Sequence, residues 1–517
     1  MGTAHRNHIY PETELNAPYL TGIIMFTSGI ATVGAFLLIG LGATRESKGA
    51  LYTLSGFLLM ACALYLHTQA YTGVLTATAA ISVEIGVGFF VLAGLLSRHR
   101  KQARPFFYFG SIALLVAVVL FGWMQVTSDR TLNTPQTLLV ELGPDDSISE
   151  LHQTLTEHGA TTEKAFPAFD LNMDQDLAQV YIVSVSASRL GSLIDALKED
   201  VENVDHVELN FDVSLQDPIA ASSDRDQRHD ILENDPLVAN QWGLDAIQGH
   251  QAHALLKDLS PERKARVAIL DTGVDAGHED VAGTFAASPA TADPHGHGSH
   301  CAGLAGAVTN NGIGIASLNW EGRFVEISSY QALNESGIGT IEMISQAILD
   351  ATRDDADVIS MSLGAKADTP KVIRDAIGFA RRNNTIVLAS AGNANEDAAD
   401  HMPSNVEGVI VVSAVDEKLE KASFSNTNMS LSRPITAPGV NMLSLKTGGG
   451  YVPMSGTSMS TPLVAGLVGV MRALNPDITE DAVYNILSRT GKNVKDSARI
   501  GKLIDAEASI QSVLSGR

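Results

Sequence analysis

Four long apolar runs open the chain: Leu20–Gly42, Gly49–Leu66, Val74–Leu96 and Phe106–Val126, of 23, 18, 23 and 21 residues. At about 1.5 Å of rise per helical residue each reaches across a hydrocarbon core of about 30 Å, the second only just. The pattern predicts a four-helix transmembrane bundle over residues 1–130. A cleaved leader would show one such run behind a basic start, whereas here four follow a polar lead. Arg45 and Lys48 fall between the first two runs, and Arg98, Arg100, Lys101 and Arg104 between the last two. By the positive-inside bias both loops face the cytoplasm, so the N-terminus and everything after Arg130 are expected outside it. Glu84 stands inside the third run, where a carboxylate is either a functional group or one satisfied within the bundle by Thr78 and Ser82 at helical spacing.

Beyond the last run the periodicity changes. Thr137–Leu142 and Ala178–Val185 read as strands, with a weaker strand near Glu163–Phe169 and a last one at His206–Val213. Ile148–His158 reads as an amphipathic helix opened by Ser147, with Glu150 three residues on to complete a capping box; a second helix spans Arg189–Val201. The order β-α-β-β-α-β predicts a ferredoxin-like α+β module over residues 135–215. Asp217–Asp235 is polar and charged, with Ser222, Ser223, Asp224, Arg225 and Asp226 in succession, and predicts a linker over 216–234 that is open to proteolysis. A third domain takes residues 235–517.

The third domain carries four stretches in which chemistry and backbone freedom coincide. Arg266–Leu270 is a short buried-strand pattern ending at Asp271-Thr272-Gly273, which sets a carboxylate at a strand's C-terminal end, where the sites of open α/β sheets gather. His295-Gly-His297-Gly-Ser299-His300-Cys301 leads into small and apolar residues suited to a buried helix. Ser390-Ala391-Gly392-Asn393 closes the apolar strand Thr385–Ala389. Gly456-Thr-Ser458-Met-Ser-Thr-Pro462 runs into an apolar stretch ending at Leu474. A serine there sits at a helix N-terminus, with backbone N–H groups and the positive dipole end turned toward a developing anion.

Charge excludes one class of partner. Up to Arg130 there are eight basic against five acidic side chains, and beyond it 27 against 53. So acidic a part repels phosphate backbones, and nucleic-acid binding is not expected. The two cysteines, Cys62 and Cys301, form no disulfide framework.

On these residues the chain resembles the subtilisin-like serine proteases. Asp271-Thr-Gly, His297-Gly-Ser-His300 and Gly456-Thr-Ser458-Met-Ser-Thr-Pro462 match that family's three signatures in its Asp…His…Ser order. The likeness runs from about Asn234 to the C-terminus, and Asn234-Asp-Pro236…Gln241-Trp242-Gly243 is similar to the start of the family's mature enzymes. It implies an α/β domain with a mostly parallel central sheet, and a module at 135–215 similar to the family's inhibitory propeptide. It further implies Ser458 as nucleophile, His297 as general base and then acid, and Asp271 as the group orienting the imidazole. Asn393 would share the oxyanion hole with the Ser458 N–H. Ser362, Leu363 and Gly364, together with Ala391 and Gly392, are implied to flank a polypeptide substrate held as an added strand. No cofactor is implied for catalysis, and a structural calcium ion is implied at Asp280 and Asn311.

The whole then reads as a membrane-anchored serine endopeptidase acting on extracytoplasmic polypeptides, in contact with the lipid bilayer and made as a self-processing zymogen. Two other readings stay open on the residues alone. His295, His297 and His300 are spaced like the ligands of a metallohydrolase, although that pattern wants an acid where Ser299 stands and leaves Ser458 and Asn393 without a task. A catalytically silent, protease-like sensor reporting through the four helices has no need for the complete set of reactive residues.

Overall fold

The computed structural model describes residues 134–215, 219–220 and 232–516. The four apolar runs, with Glu84 and Cys62, lie outside them; among the described residues no helix is long and apolar enough to cross a membrane.

The first described module runs β1 (Pro135–Leu142), a 3₁₀ turn at Ile148–Leu151 continuing into α1 (His152–His158), β2 (Thr161–Lys164), a one-turn helix at Gln175–Ala178 that the sequence pattern did not predict, β3 (Val180–Ser186), α2 (Leu190–Glu199) and β4 (Val204–Leu209). Its four strands are arranged β2-β3-β1-β4, with β1 antiparallel to β4 and β2 antiparallel to β3. The capping box forms: Glu150 Oε2 accepts from the Ser147 N–H at 2.7 Å, and the Ser147 hydroxyl accepts in return from the backbone of the first turn. Alternation along β1 divides its side chains between two cores. Leu138, Val140 and Leu142 meet Leu151, Leu155, Leu193 and Leu197 of the module's helices. Leu139 faces the other way, into a cluster shared with the third domain.

The strand expected over His206–Val213 is two strands. β4 stops at Leu209, and β5 (Asp212–Ser214) leaves the module's sheet to pair elsewhere; the chain then continues to a short strand β6 (Ile219–Ala220). Between β4 and β5, Asn210 turns its side-chain carbonyl to the backbone N–H of Glu342, 132 residues away. A local pattern of alternating residues carries no trace of that long-range partner.

The third domain is built on a seven-stranded sheet. Its elements are, in chain order, α3 (Gly249–Leu256), β7 (Ala265–Asp271), α4 (His297–Gly306), β8 (Val325–Gln331), β9 (Ile338–Thr340), α5 (Ile341–Arg353), β10 (Val358–Met361), α6 (Lys371–Arg382), β11 (Ile386–Ser390), β12 (Ile410–Val415), β13 (Pro434–Pro438), β14 (Met442–Leu445), β15 (Tyr451–Ser455), α7 (Thr457–Leu474) and β16 (Lys502–Leu503). The order is β8-β7-β10-β11-β12-β13-β16, and every neighbouring pair is parallel. Such a sheet needs cover on both faces, which explains the continuous apolar strands. Val267 and Ile269 point into a core with α4 and α7, while Ala268 and Leu270 point into one with α5 and α6. All eighteen residues of α7 are buried. This places the C-terminal ends of β7, β10 and β11 and the N-termini of α4 and α7 along one edge.

Candidate active site

Two glycines bring the first two signatures together. Gly273 adopts φ +117, in the region that favours glycine, and a Cβ there would stand 2.1 Å from the carbonyl oxygen of Ala292. A Cβ on Gly298 would stand 2.0 Å from Gly273 O and 3.1 Å from the Asp271 Cβ. Only bare backbone permits that approach, and it sets the first turn of α4 against the end of β7. His297 Nδ1 then lies 2.8 and 2.9 Å from the two carboxylate oxygens of Asp271, with both side chains buried. An ionised carboxylate only accepts, so the proton sits on Nδ1 and Nε2 carries the lone pair. His297 Nε2 is buried and has no hydrogen-bond partner. Burial opposes a charged imidazole here, but the charge and hydrogen bond of Asp271 outweigh it and hold the His297 pKa well above the ordinary histidine value.

Asp293, which the sequence reading missed, organises this corner. Its carboxylate accepts from the Thr272 hydroxyl (2.8 Å), the N–H groups of His295, Gly296 and Ser299 (3.2, 2.8 and 2.7 Å), and the Ser299 hydroxyl (2.7 Å). It therefore serves the open N-terminus of α4, which has Gly296 and no side-chain cap of its own, and ties that end to the strand carrying Asp271. His300, one turn further on, is structural. Its Nε2 donates to the carbonyls of Met442 and Val452, each at 3.0 Å, and burial, with the nearby His297 second, pushes its pKa down to about 3. The three histidines do not converge: His297 is engaged with Asp271 and His300 with the β14–β15 pair.

Ser458 is the second residue of α7. Pro462 has no N–H, so the carbonyl four residues back, that of Ser458, lacks its helical donor. Two side chains replace it: Ser362 Oγ donates to Ser458 O at 2.8 Å, and Cys301 Sγ at 3.4 Å. Cys301 Sγ also lies 4.0 Å from His297 Nδ1, so this thiol stands between the histidine and the serine backbone. Burial pushes the thiol pKa up, leaving it protonated and able to donate. The Ser458 hydroxyl itself donates to Ser362 O at 3.3 Å.

Asn393 is fixed by the residue before the serine: its Oδ1 accepts from both the N–H and the hydroxyl of Thr457, each at 2.9 Å. That leaves Nδ2 on the opposite side. A Cβ built on Gly456 would stand 3.4 Å from Asn393 Nδ2 and 3.6 Å from Ser458 N, so the two N–H donors border one small space that glycine leaves open.

Ser362, Leu363, Gly364, Gly392, Asn393 and Ser458 line one cleft. Ala391 does not. It is fully buried, donates to Val412 O and accepts from Asn426, and so forms a floor behind the wall. His401 and Met402, which carry no recognisable signature, line the cleft instead, as does Leu215 from the preceding module. β5 lies antiparallel to β9, with Val213 opposite Gly339, and the Leu215 N–H donates to Gly337 O at 2.8 Å. Beyond Leu215, β6 is antiparallel to β15, with Ile219 opposite Ser455. The same module also serves two helix N-termini. Glu208 accepts from the N–H groups of Lys371 and Val372 (2.8 and 3.0 Å) at the start of α6, and Asn210 from Glu342 at the start of α5.

Asp280 and Asn311 meet, with Asn311 Nδ2 3.0 Å from Asp280 Oδ1. Asp235, unrecognised in the sequence although it stands in the Asn234-Asp-Pro stretch, accepts from the N–H groups of Asn310 and Asn311 in the same loop. Both carboxylates are buried and neither forms an ion pair with a basic side chain among the described residues. Burial pushes the Asp280 pKa up to about 6, and the nearby charge of Asp235 adds to it. In this loop the carboxylates are met by N–H donors, Asp280 by Asn311 Nδ2 and the Ile315 N–H and Asp235 by the Asn310 and Asn311 N–H groups, so the two buried acids are the oxygen donors it offers a cation while Asn311 presents its amide nitrogen.

Residues 262–502 match the model of the subtilase family. Among curated proteins, thermitase of Thermoactinomyces vulgaris is 35% identical over 246 residues, covering 46% of this chain and 84% of the relative. Subtilisin DY of Bacillus licheniformis is 34% identical over 257 residues, 48% of this chain and 90% of the relative. Subtilisin Savinase of Lederbergia lenta is 31% identical over 274 residues, 52% of this chain and 97% of the relative. With its reactive side chains gathered at one sheet edge and relatives matched over most of their length, the chain belongs to the subtilase family of serine endopeptidases, which act on polypeptides.

Proposed function

We propose that the chain hydrolyses peptide bonds through Asp271, His297 and Ser458 and is made as a zymogen that cuts itself between Leu215 and Ile219. The observation that carries the chemistry is His297, held through Nδ1 by Asp271 and presenting a buried Nε2 with no partner. As Ser458 Oγ adds to the scissile carbonyl carbon, its proton passes to His297 Nε2. The carbonyl oxygen becomes an oxyanion in the space bordered by Ser458 N and Asn393 Nδ2. Asp271 stabilises the imidazolium without taking its proton. Collapse of the adduct breaks the C–N bond, His297 protonates the departing amine, and an acyl-serine remains. A water that gives its proton to the same Nε2 then releases the acid and restores the hydroxyl.

Zymogen organisation is supported by the β5–β9 pairing, which lays the chain's own segment along the cleft with Leu215 beside Ser458. The two strands flanking 216–218 are anchored on β9 and on β15, the latter ending three residues before Ser458. Purified wild type should yield a new N-terminus within 216–219, while Ser458→Ala stays intact. Equal processing of both in a protease-deficient host would show that another enzyme makes the cut.

We further propose that residues 1–130 anchor the enzyme by four membrane helices, with the module and protease outside the cytoplasm, and that calcium fills the loop at Asp235, Asp280 and Asn311. The four apolar runs and their two basic loops support the first reading, and the buried carboxylates without a basic partner support the second. Ser458→Ala should sediment with membranes and be degraded by protease added outside intact cells; protection from that protease would reverse the topology.

A further inference from the structure

Far along the chain from the reactive residues, three potential metal ligands converge where the third domain begins. Glu233 lies just beyond the linker, and His250 and His253 are three apart on α3, hence on one face of the helix. One ligand atom from each lies within 4.8 Å of the other two. His250 Nδ1 is 2.9 Å from Glu233 Oε1, and His253 Nδ1 makes a still closer contact with that same oxygen. The Glu233 and His253 side chains are wholly buried, and His250 retains some exposure.

The far nitrogens decide what this arrangement needs. His253 Nε2 lies 2.6 Å from Ser317 O, and a carbonyl only accepts, so Nε2 carries the hydrogen. His250 Nε2 faces Asp245 Oδ1 at 3.5 Å, which favours the same tautomer. In their neutral forms both rings therefore direct a lone pair from Nδ1 at a carboxylate oxygen. The second oxygen, Glu233 Oε2, is buried with no partner. Three electron-rich atoms around one point, one of them on a buried acid, require a positive charge between them, which a proton on one Nδ1 or a metal ion supplies. Imidazoles whose outer N–H is held by a carbonyl and a carboxylate are the usual supporting shell of a metal-bound histidine.

We propose that Glu233, His250 and His253 bind a divalent transition ion of the zinc class through Oε and the two Nδ1 atoms, with solvent completing the shell on the exposed His250 side. Ligands on one tetrahedral zinc stand roughly 3.3 Å apart, so His250 needs to open by only a few tenths of an ångström and the closer His253 by about an ångström. The ion fastens the first segment after the linker to α3 and, through Ser317, to the loop after α4. Once the chain is cut between Leu215 and Ile219, Glu233 belongs to the new N-terminal segment, and the ion keeps it attached to the body of the enzyme.

The test uses the intact full chain carrying Ser458→Ala, titrated with zinc alone and assayed for bound metal after dialysis. One equivalent is expected. It should be absent from Glu233→Gln and from the His250→Gln, His253→Gln double variant, and be retained by Cys301→Ala, which alters the other buried group of acid, histidine and thiol. Asp245→Asn, which alters the carboxylate facing the outer nitrogen of His250, should weaken binding about 10- to 100-fold. Cobalt added to the chain with its ligands intact should give the visible bands of a four-coordinate nitrogen and oxygen site without a thiolate charge-transfer band. Absence of stoichiometric zinc, zinc that survives the double histidine variant, or a thiolate band placing the ion at Cys301 would each overturn the proposal.

Discussion

Replacing Glu208 by alanine should weaken the hold of the module on the enzyme after self-cleavage. α6 begins after Pro370, which supplies no side-chain cap, and its first two N–H groups donate instead to Glu208 at 2.8 and 3.0 Å. Those donors face water when the module leaves, so the difference between bound and free states is two charge-assisted hydrogen bonds plus the attraction of a carboxylate for the positive end of the helix. At about 1.5 kcal/mol for a bond to a charged group, the pair contributes roughly 3 kcal/mol, or about 100-fold in the affinity of the cut module. Glu208→Gln keeps one acceptor and should lose about half as much. Glu208 is not among the residues that line the cleft, so turnover after the module has gone should be unchanged. The assay is the lag before activity appears when processed protein is diluted into a peptide substrate, with the module's dissociation followed in parallel. The expected order of lags is wild type longest, glutamine intermediate and alanine shortest. Equal lags for all three, or a lower final rate with an unchanged lag, would refute the idea that the capped helix holds the module.

Other consequences follow from single contacts. Because Asp271 raises the His297 pKa against the effect of burial, and the base must be neutral, kcat/KM should rise with pH through a value above that of ordinary histidine; Asp271→Asn should move this limb to lower pH and cost about 10⁴-fold, the magnitude seen for the equivalent change in another serine-protease fold. The same raised pKa means that protonating His297 stabilises the fold: in Ser458→Ala the contribution is full below the unfolded value and lost as pH rises through the folded one, so His297→Gln should flatten that part of a melting-temperature profile. Ser362→Ala leaves the buried Ser458 carbonyl with the weak Cys301 donor alone and should cost about 1–3 kcal/mol in denaturant melts, with turnover falling as the nucleophile's turn loosens. His401 lines the cleft with an unpartnered, buried Nε2, so His401→Ala should shift cleavage profiles of peptide libraries toward larger apolar side chains; an unchanged profile would remove it from the pocket wall. Chelating calcium should lower the melting temperature of wild type and leave that of Asp280→Asn unmoved.

What could be read from the chain in advance shared a physical basis. Asp271, His297, Asn393 and Ser458 each stand beside glycines or small residues at the end of an apolar run, so reactive group and backbone freedom appear together in a few consecutive positions. The start of the module was legible because β1 carries the apolar run Leu138-Leu139-Val140 and Ser147 and Glu150 form a purely local cap. Residues whose work is done across long stretches were not. Asp293 looks like a loop acid: most of its partners lie within six residues, and only its bond to Thr272, 21 residues back, ties the start of α4 to the strand that carries Asp271. β9 has the undistinguished sequence Ile-Gly-Thr, and its value as an edge for an added strand depends on where the sheet leaves it. Asp235 and Glu233 were assigned by composition to a linker and its boundary, but each has its partners 75 or 17 residues downstream.

The position of Pro462 shows how local chemistry and long-range packing depend on one another here. Within a helix a proline removes one hydrogen bond at considerable cost, yet α7 is buried along its whole length and carries the nucleophile. The lost donor leaves the Ser458 carbonyl with two replacements, from Ser362 after β10 and from Cys301 on α4. Those are the two elements that must be in register with Ser458 if substrate and base are to meet at its hydroxyl: β10 leads into the cleft wall, and α4 carries His297. A complete helical hydrogen bond at that point would leave the serine turn self-sufficient and free to move relative to both. The missing N–H therefore couples the nucleophile's backbone to the base and to the wall, and restoring it with Pro462→Ala should draw the carbonyl back into the helix. Stability should then rise or hold while turnover falls, the opposite of the correlated loss expected from simple damage to packing.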